Sequence, residues 1–274
     1  MIKKLPIALQ LYSVRDDLEA DFKGTLEKVK AMGYDGVEFH DLFGIDPLTV
    51  KGWLDEIGLV PVSAHIPLDN MIADPDASIG AYKKIGCKWV AMPWLAEERR
   101  PGNPMYDETI KAIDKLATYC KENDMQLLYH NHDFEYVKIG DEYALDIMYA
   151  NIPALDTELD LCWVKVAGED PSKYLRKYKD RAPVVHLKDF YMPGKKPGSM
   201  YKLIGTTVEE VEDDAIFEFR PVGFGQQVWN VILEAVAETN AEWVVVEQDD
   251  PSMGKTPLEC AQYSIDYVRT LYTF

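Results

Sequence analysis

The sequence is short of positive charge. Against 47 acidic residues it sets 29 lysines and arginines, a formal net charge of −18 at pH 7 over 274 residues. Such a field repels phosphate backbones and anionic bilayers, so neither nucleic acid nor a membrane surface is expected as a partner, although a local basic pocket for one small phosphate is compatible with it. No apolar run reaches the roughly eighteen residues of a membrane span. The opening stretch turns polar by Tyr12-Ser13, too early for the apolar core of a secretory signal, and points to a cytoplasmic protein. Cysteine is sparse: Cys87, Cys120, Cys162 and Cys260 lie far apart, form no C-x-x-C pair and fall in apolar-periodic stretches. Buried reduced thiols are expected, not a disulfide frame or a thiolate zinc site. No glycine-rich phosphate fingerprint follows the first strand, and no low-complexity linker or shift in composition divides the chain, so residues 1–274 read as a single domain.

What is present is repetition. Short β-branched or apolar runs alternate with longer segments of helical period, the pattern of β-α units closing a parallel sheet. Strands are expected at Ile7–Leu11, Gly36–Phe39, Val60–His65, Trp89–Met92, Gln126–His130, Ala154–Leu161, Pro183–Lys188 and Trp243–Glu247. Helices are expected at Phe22–Met32, Pro47–Ile57, Asp76–Ile85, Tyr106–Asn123, Tyr143–Tyr149, Pro171–Tyr178, Val228–Thr239 and Pro257–Leu271. Asp46-Pro47 and Asp74-Pro75 read as helix starts, and Gly33, Gly58 and Gly86 as left-handed helix ends. Strands spread evenly to the end of the chain favour a single (β/α)8 TIM barrel over an open doubly wound sheet. One long interruption, Phe190–Gln227, extends the loop between strand seven and its helix; it carries a strand-like run Ala215–Arg220 and reads as a lid over the barrel mouth, with Arg220 contacting substrate oxygens.

In a parallel barrel the C-terminal strand ends share one face, where sites are built. Polar residues collect there: Glu38 and His40 after strand two, His65 after strand three, His130, His132, Asp133 and Glu135 after strand five, Glu158 and Asp160 on strand six, His186, Lys188 and Asp189 on strand seven, Glu247 to Asp250 on strand eight. All five histidines of the chain fall at strand ends. Side chains alternate along a strand, so His130 and His132 share a face, as do Glu158 and Asp160, and His186 and Lys188. Carboxylates converging in a low-dielectric mouth repel unless a cation neutralises them. One divalent metal does so, and a mixed Asp, Glu and His set without thiolate suits manganese, magnesium, cobalt or zinc. Other readings stand beside these: His40 as a loop or substrate-edge histidine, Glu38 paired with a cation in the barrel, His65 as a core or a substrate-contacting histidine, Asp189 and Asp250 as solvated loop acids, Trp53 and Trp229 as core. Trp94 and Trp163 either stack on a sugar ring or pack.

These residues resemble the xylose isomerase-like barrel superfamily, which holds sugar phosphate isomerases and epimerases, inosose dehydratases and the endonuclease IV type of repair enzyme. The segments carrying the likeness run through the whole chain: Ala8 to Ser13, Gly33 to Glu38, Glu158-Leu159-Asp160, His186-Leu187-Lys188-Asp189, Gly223-Phe224-Gly225 and Val246-Glu247. The resemblance implies a metal held by an acid on strand five, an aspartate on strand six, a histidine on strand seven and a glutamate on strand eight. Asp160, His186 and Glu247 match directly. Strand five departs from the pattern, with His130 where the family has glutamate; either His130 is the fourth ligand, or Glu135 reaches back and frees His130 for acid-base work.

The implied chemistry acts on a hydroxy-ketone: a base removes the proton next to the carbonyl while the metal stabilises the enediolate. The first expectation is a metal-dependent sugar or keto-sugar isomerase or epimerase, with Glu247 as ligand and base, His132 or Glu158 as its partner, and His65, Lys188, Arg220 and Glu135 contacting the substrate. The second is a lyase or dehydratase on an inosose or 3-keto-glycoside with a histidine base, because a strand-five histidine breaks the two-glutamate arrangement associated with epimerases. A third is an inert metal- or sugar-binding barrel. A homo-oligomer is left open. An endonuclease is set aside, since that role implies three metals with more histidine ligands and the acidic surface opposes DNA.

Overall fold

The computed structural model describes residues 2–194 and 216–272. Eight strands, β1 (Ile7–Gln10), β2 (Gly36–Phe39), β3 (Val60–Ala64), β4 (Trp89–Met92), β5 (Gln126–His130), β6 (Asp156–Asp160), β7 (Val184–Leu187) and β8 (Trp243–Val246), form one sheet in the order β3-β2-β1-β8-β7-β6-β5-β4. All of its pairings are parallel. The two ends meet: Ile66 N donates to Ala91 O at 2.9 Å and Lys88 N to Val62 O at 3.2 Å, with a parallel bridge between His65 and Ala91. The sheet is thereby closed into the expected (β/α)8 barrel.

A parallel sheet covered on both faces needs strands that are apolar on both. The alternation is nonetheless sharp once the faces are separated. Ile7, Leu9, Val37, Phe39, Val185, Leu187, Val244 and Val246 pack outward in the large core under the helices. Ala8, Val62, Trp89, Ala91, Leu128, Val184 and Val245 point inward and fill the barrel floor. Two residues further along the same inward register stand Gln10, His130, His186 and Glu247, all buried. The interior therefore passes from apolar at the N-terminal end to ionisable at the C-terminal end, and one step of strand register sets that boundary.

Helix punctuation follows the sequence. Asp46 accepts from Leu48 N and Thr49 N, and Asp74 from Ala77 N, each just ahead of a proline. Gly33, Gly58 and Gly86 take φ of 100°, 78° and 108°. Strand six ends at Asp160, one residue earlier than expected, because Asp160 is also the N-cap of an additional helix, Leu161–Val166, accepting from Cys162 N and Trp163 N. The expected helix at Asp76 starts at Pro75 and follows a short helix, Leu68–Ala73. The four cysteines are free and buried, as expected.

Of the expected lid, residues 195–215 lie outside the described residues, including Ala215 of the strand-like run. Its two ends form a hairpin, Asp189–Tyr191 antiparallel to Glu218–Arg220. Here one expectation is corrected. Asp189 is not a solvated loop acid but fully buried, and the returning chain is wrapped around it. Its Oδ2 accepts from Gly223 N at 3.0 Å, Gly225 N at 3.2 Å and Trp229 Nε1 at 2.8 Å, and its Oδ1 from Phe190 N at 2.9 Å and Gln227 N at 3.1 Å. A side chain at Gly225 would meet Asp189 Oδ1 at 2.2 Å, so only glycine lets the backbone come this close. Asp250, by contrast, is half exposed and paired with Arg15 at 3.2 Å.

Asp189→Ala leaves several donors buried without an acceptor and is expected to lower stability by about 3 kcal/mol or more. Urea unfolding followed by circular dichroism measures this, and an unchanged midpoint would show that the carboxylate is dispensable.

Candidate metal and active site

A cavity of about 260 Å³ opens at the C-terminal end of the barrel. His65, His130, Lys188 and Glu247 reach it from the ends of β3, β5, β7 and β8, while Tyr12, His40, Trp94, His132 and Asp249 close it from the loops. The two strand-five histidines both line it, as the alternation requires.

Four side chains bring donor atoms within 4.8 Å of one another: His130, Asp160, His186 and Glu247. His130 Nε2 is 3.3 Å from Asp160 Oδ2 and 3.7 Å from Glu247 Oε2, and His186 Nδ1 is 3.0 Å from the same Glu247 oxygen. The other end of each group is tied down. His130 Nδ1 lies 3.1 Å from Pro93 O, which holds a ring proton on Nδ1 and turns Nε2 toward the cluster. Asp160 Oδ1 is taken by Cys162 N at 2.7 Å and Trp163 N at 3.3 Å, so Oδ2 is the free oxygen. His130 Nε2 and Asp160 Oδ2 are both buried without a hydrogen-bond partner. Buried polar atoms are ordinarily satisfied, and this pair fits a cation that would displace the Nε2 proton. Two imidazoles and two carboxylates without thiolate suit a divalent ion of borderline or hard character. Of the two strand-five alternatives, the structure brings His130 into this set. Glu135 accepts instead from Tyr129 Oη at 2.6 Å and His132 N at 2.7 Å.

The electrostatics show how much negative charge is gathered here. Burial opposes a charge on His130, yet the Asp160 and Glu247 carboxylates outweigh it and hold the imidazole pKa at about 10. Burial likewise opposes ionisation of Glu247, but Lys188 and the two imidazoles keep its carboxyl well below the usual range. Lys188 is fully buried, with Nζ 3.0 Å from Glu247 Oε2 and 2.6 Å from Asp249 Oδ1, and it stands over the Trp163 and Phe219 rings. Burial raises Asp249 to about 6 against the pull of that ammonium.

His132 is different in kind. It caps the short helical turn Asp133–Tyr136, its side chain facing Glu135 N, and its ring packs against Phe134, parallel at 5.1 Å, and Trp163 at 5.0 Å. Burial, with the charges of His130 and Lys188 beside it, holds its pKa well below the ordinary histidine value, so it is a neutral imidazole. His40 is held neutral in the same way, lowered by burial to about 4.

Beneath the cavity lies a second polar layer. His65 Nε2 is 2.5 Å from Glu158 Oε2 and 3.2 Å from Glu38 Oε1, and His186 Nε2 is 2.8 Å from Glu38 Oε1 and 3.4 Å from Glu158 Oε2. Glu158, expected as an acid-base partner, does not line the cavity; it orients His65, which does. Glu135 and Arg220, expected at the substrate, do not line it either. Arg220 pairs with Glu218 at 2.8 Å and stands over Tyr191. Trp163 packs against His132 and Phe217, whereas Trp94 lines the cavity. Asp249, counted among the polar residues after strand eight, was given no role: it follows the end of β8, where strand alternation no longer says which way a side chain points.

The model of the xylose isomerase-like TIM barrel family matches residues 26–271. A curated relative from Clostridium tetani, named inosose dehydratase, is 29% identical over 171 residues, covering 60% of this chain and 54% of its own length. The chain thus spans about half of that relative. Another inosose dehydratase, from Lacticaseibacillus casei, is 21% identical over 279 residues, covering 91% of this chain and 89% of its own. A crystal structure described as a sugar phosphate isomerase/epimerase from Parabacteroides distasonis superposes with a TM-score of 0.74 at 17% identity, covering 97% of this chain and 94% of that one.

The two strand-five histidines are expected to separate by function. His130→Ala should weaken metal binding, while His132→Ala should keep the metal and lose roughly a hundredfold or more in turnover, the scale of a lost acid-base group. Metal analysis and steady-state rates on both variants test this; full occupancy and near-full turnover in both would make the pair structural.

Proposed function

The chain belongs to the xylose isomerase-like TIM barrel family, and on that premise we propose that it is a metal-dependent lyase that dehydrates a small keto-sugar or ketocyclitol of the inosose kind. One observation carries this reading: strand five delivers the imidazoles of His130 and His132 to the cavity, while its carboxylate, Glu135, is held by Tyr129 and the His132 backbone. Among the described residues, no strand-five carboxylate faces Glu247 across the cavity, as an epimerase of this family would use. Elimination asks for something else, one base at the carbon next to the carbonyl and one acid at the departing hydroxyl. The inosose dehydratases among the relatives support the same choice.

His130, Asp160, His186 and Glu247 would hold the cation, which when bound supplies electrophilic stabilisation of the negative charge developing on the carbonyl oxygen. The remaining steps belong to side chains. Neutral His132, which lines the cavity, takes the proton from the carbon next to the carbonyl. The electron pair released forms the carbon-carbon double bond as the hydroxyl leaves from the neighbouring carbon. Asp249, raised by burial to about 6, has a protonated fraction near neutrality and gives its proton to the hydroxyl, which departs as water. Lys188, 2.6 Å away, holds the carboxylate left behind. The His132 proton and the Asp249 carboxylate then re-equilibrate through solvent. Tyr12, His40 and Trp94 supply walls for a ring and its hydroxyls, and about 260 Å³ suits a single six-membered ring.

A second reading keeps the isomerase or epimerase expected first, because Glu247 also lines the cavity and can serve as the base. Incubation with an inosose and with keto-sugars in deuterated water separates the two. A conjugated unsaturated ketone is expected, whereas deuterium retained in an unchanged skeleton would establish the second reading. Tight binding without turnover across the panel would leave a sugar-binding module. Asp249→Asn is expected to cost roughly a hundredfold in turnover with the metal retained.

A further inference from the structure

The loop after β8 carries two consecutive acids that point in opposite directions. Asp249 is buried and lines the cavity, whereas Asp250 is half exposed at the surface. Strand alternation does not decide this, because β8 ends at Val246. The backbone is instead held by the turn that follows β1, Leu11–Val14, and by the residue after it. Ser13 Oγ accepts from Gln248 N at 3.0 Å. Arg15 Nη1 donates to Asp249 O at 2.5 Å and to Tyr12 O at 3.1 Å, and its Nη2 to Asp250 Oδ1 at 3.2 Å. Gln248 Nε2 closes the loop on itself by donating to Asp250 O at 2.8 Å. The guanidinium carbon also stands 4.3 Å over the ring of Tyr12, which forms part of the cavity wall.

We propose that Arg15 is a positioning residue: by holding the carbonyl of Asp249 and the carboxylate of Asp250 on its own side of the loop, it turns the Asp249 carboxyl inward, beside Lys188 and toward the substrate. The inference rests on the reading of Asp249 as the acid at the departing hydroxyl. A guanidinium suits the task, since its planar fork meets several acceptors at fixed separations, which an ammonium on a flexible stem does not. The peptide ahead of Asp249 is pinned through Gln248 N, and the peptide behind it through Asp249 O. The side chain between them is left one direction, toward Lys188 Nζ at 2.6 Å. Tyr12 is tied to the same guanidinium, so the acid and a wall of the cavity are fixed to one group. Misplacing a reacting group by about 1 Å can cost on the order of a hundredfold in rate, so such a clamp acts on turnover.

The rival use of Arg15 is an ordinary surface ion pair with Asp250, a contact that contributes little. Two leaving groups separate the readings: an inosose, and its analogue carrying fluorine in place of the departing hydroxyl. Fluoride takes the C–F bonding pair with it and needs no proton at departure, so its loss does not depend on Asp249. Steady-state rates are measured on both with the full chain and Mn(II). Arg15→Met, folded by circular dichroism, is expected to lose roughly 10–100-fold in turnover of the inosose and to eliminate fluoride at close to the rate of the unaltered protein. Asp250→Ala, which removes the surface pair and keeps the bond to Asp249 O, is expected to match the unaltered protein on both substrates. Should Arg15→Met fold poorly, Arg15→Lys, which keeps the charge and loses the fork, is expected to show a smaller loss with the same dependence on leaving group. A full rate on the inosose in the folded Arg15 variants, an equal loss on both substrates, or a loss in Asp250→Ala as large as in Arg15→Met overturns the proposal while leaving the dehydratase reading in place. No unsaturated product from either substrate with the unaltered protein overturns that reading and this inference together.

Discussion

The constraint on which the structure turns is the burial of like charge. Glu38, Glu158, Asp160 and Glu247 all lie inside one barrel, each essentially inaccessible to solvent. Two carboxylates about 4 Å apart repel by about 4 kcal/mol even at an effective dielectric near 20, so the arrangement persists only if positive charge or protons are interleaved. The barrel interleaves them. His65 and His186 sit between Glu38 and Glu158, and His130, His186 and Lys188 between Asp160, Glu247 and Asp249.

Neutralisation alone would make a static salt-bridge network. What makes the upper layer a site is that hydrogen bonds occupy some atoms of each group and spare others. The Leu161–Val166 helix takes one oxygen of Asp160, and Pro93 O faces one nitrogen of His130. The spared atoms then point at a common position, in an orientation compatible with a cation without rearrangement. Capping a helix and orienting a ligand are here the same interaction.

Around this centre the environment grades from ionic to aromatic. Phe134 and Trp163 pack against the His132 ring, and Phe219 lies against Lys188. Phe219 arrives there on the hairpin after β7, whose return is bound by Asp189 through backbone amides and Trp229. Burial moves the pKa values of His132 and Asp249 in opposite directions, lowering the imidazole and raising the carboxyl to about 6.

The barrel itself was legible in the sequence because it depends on periodicity. Apolar runs, Asp-Pro helix starts and glycine helix ends are local signals, and local sterics act wherever the residues stand. Convergence of His130, Asp160, His186 and Glu247 was legible for a related reason: in a parallel barrel all strand ends share one face, and alternation carries each side chain inward. Alternation ends where the strands end. Asp189 looked like a loop acid, and only the returning chain, 34 to 38 residues on, surrounds it with donors. Asp249 and Glu135 were equally plausible acids by position, yet one turns into the cavity and the other onto Tyr129. Which nitrogen of His186 faces which carboxylate, and which oxygen of Asp160 is free, are likewise properties of contacts between strands distant in sequence. Residue type and spacing determined which groups would meet; only tertiary packing decided which atoms of those groups remain free to react, because an atom is spared or occupied by neighbours that no local pattern encodes.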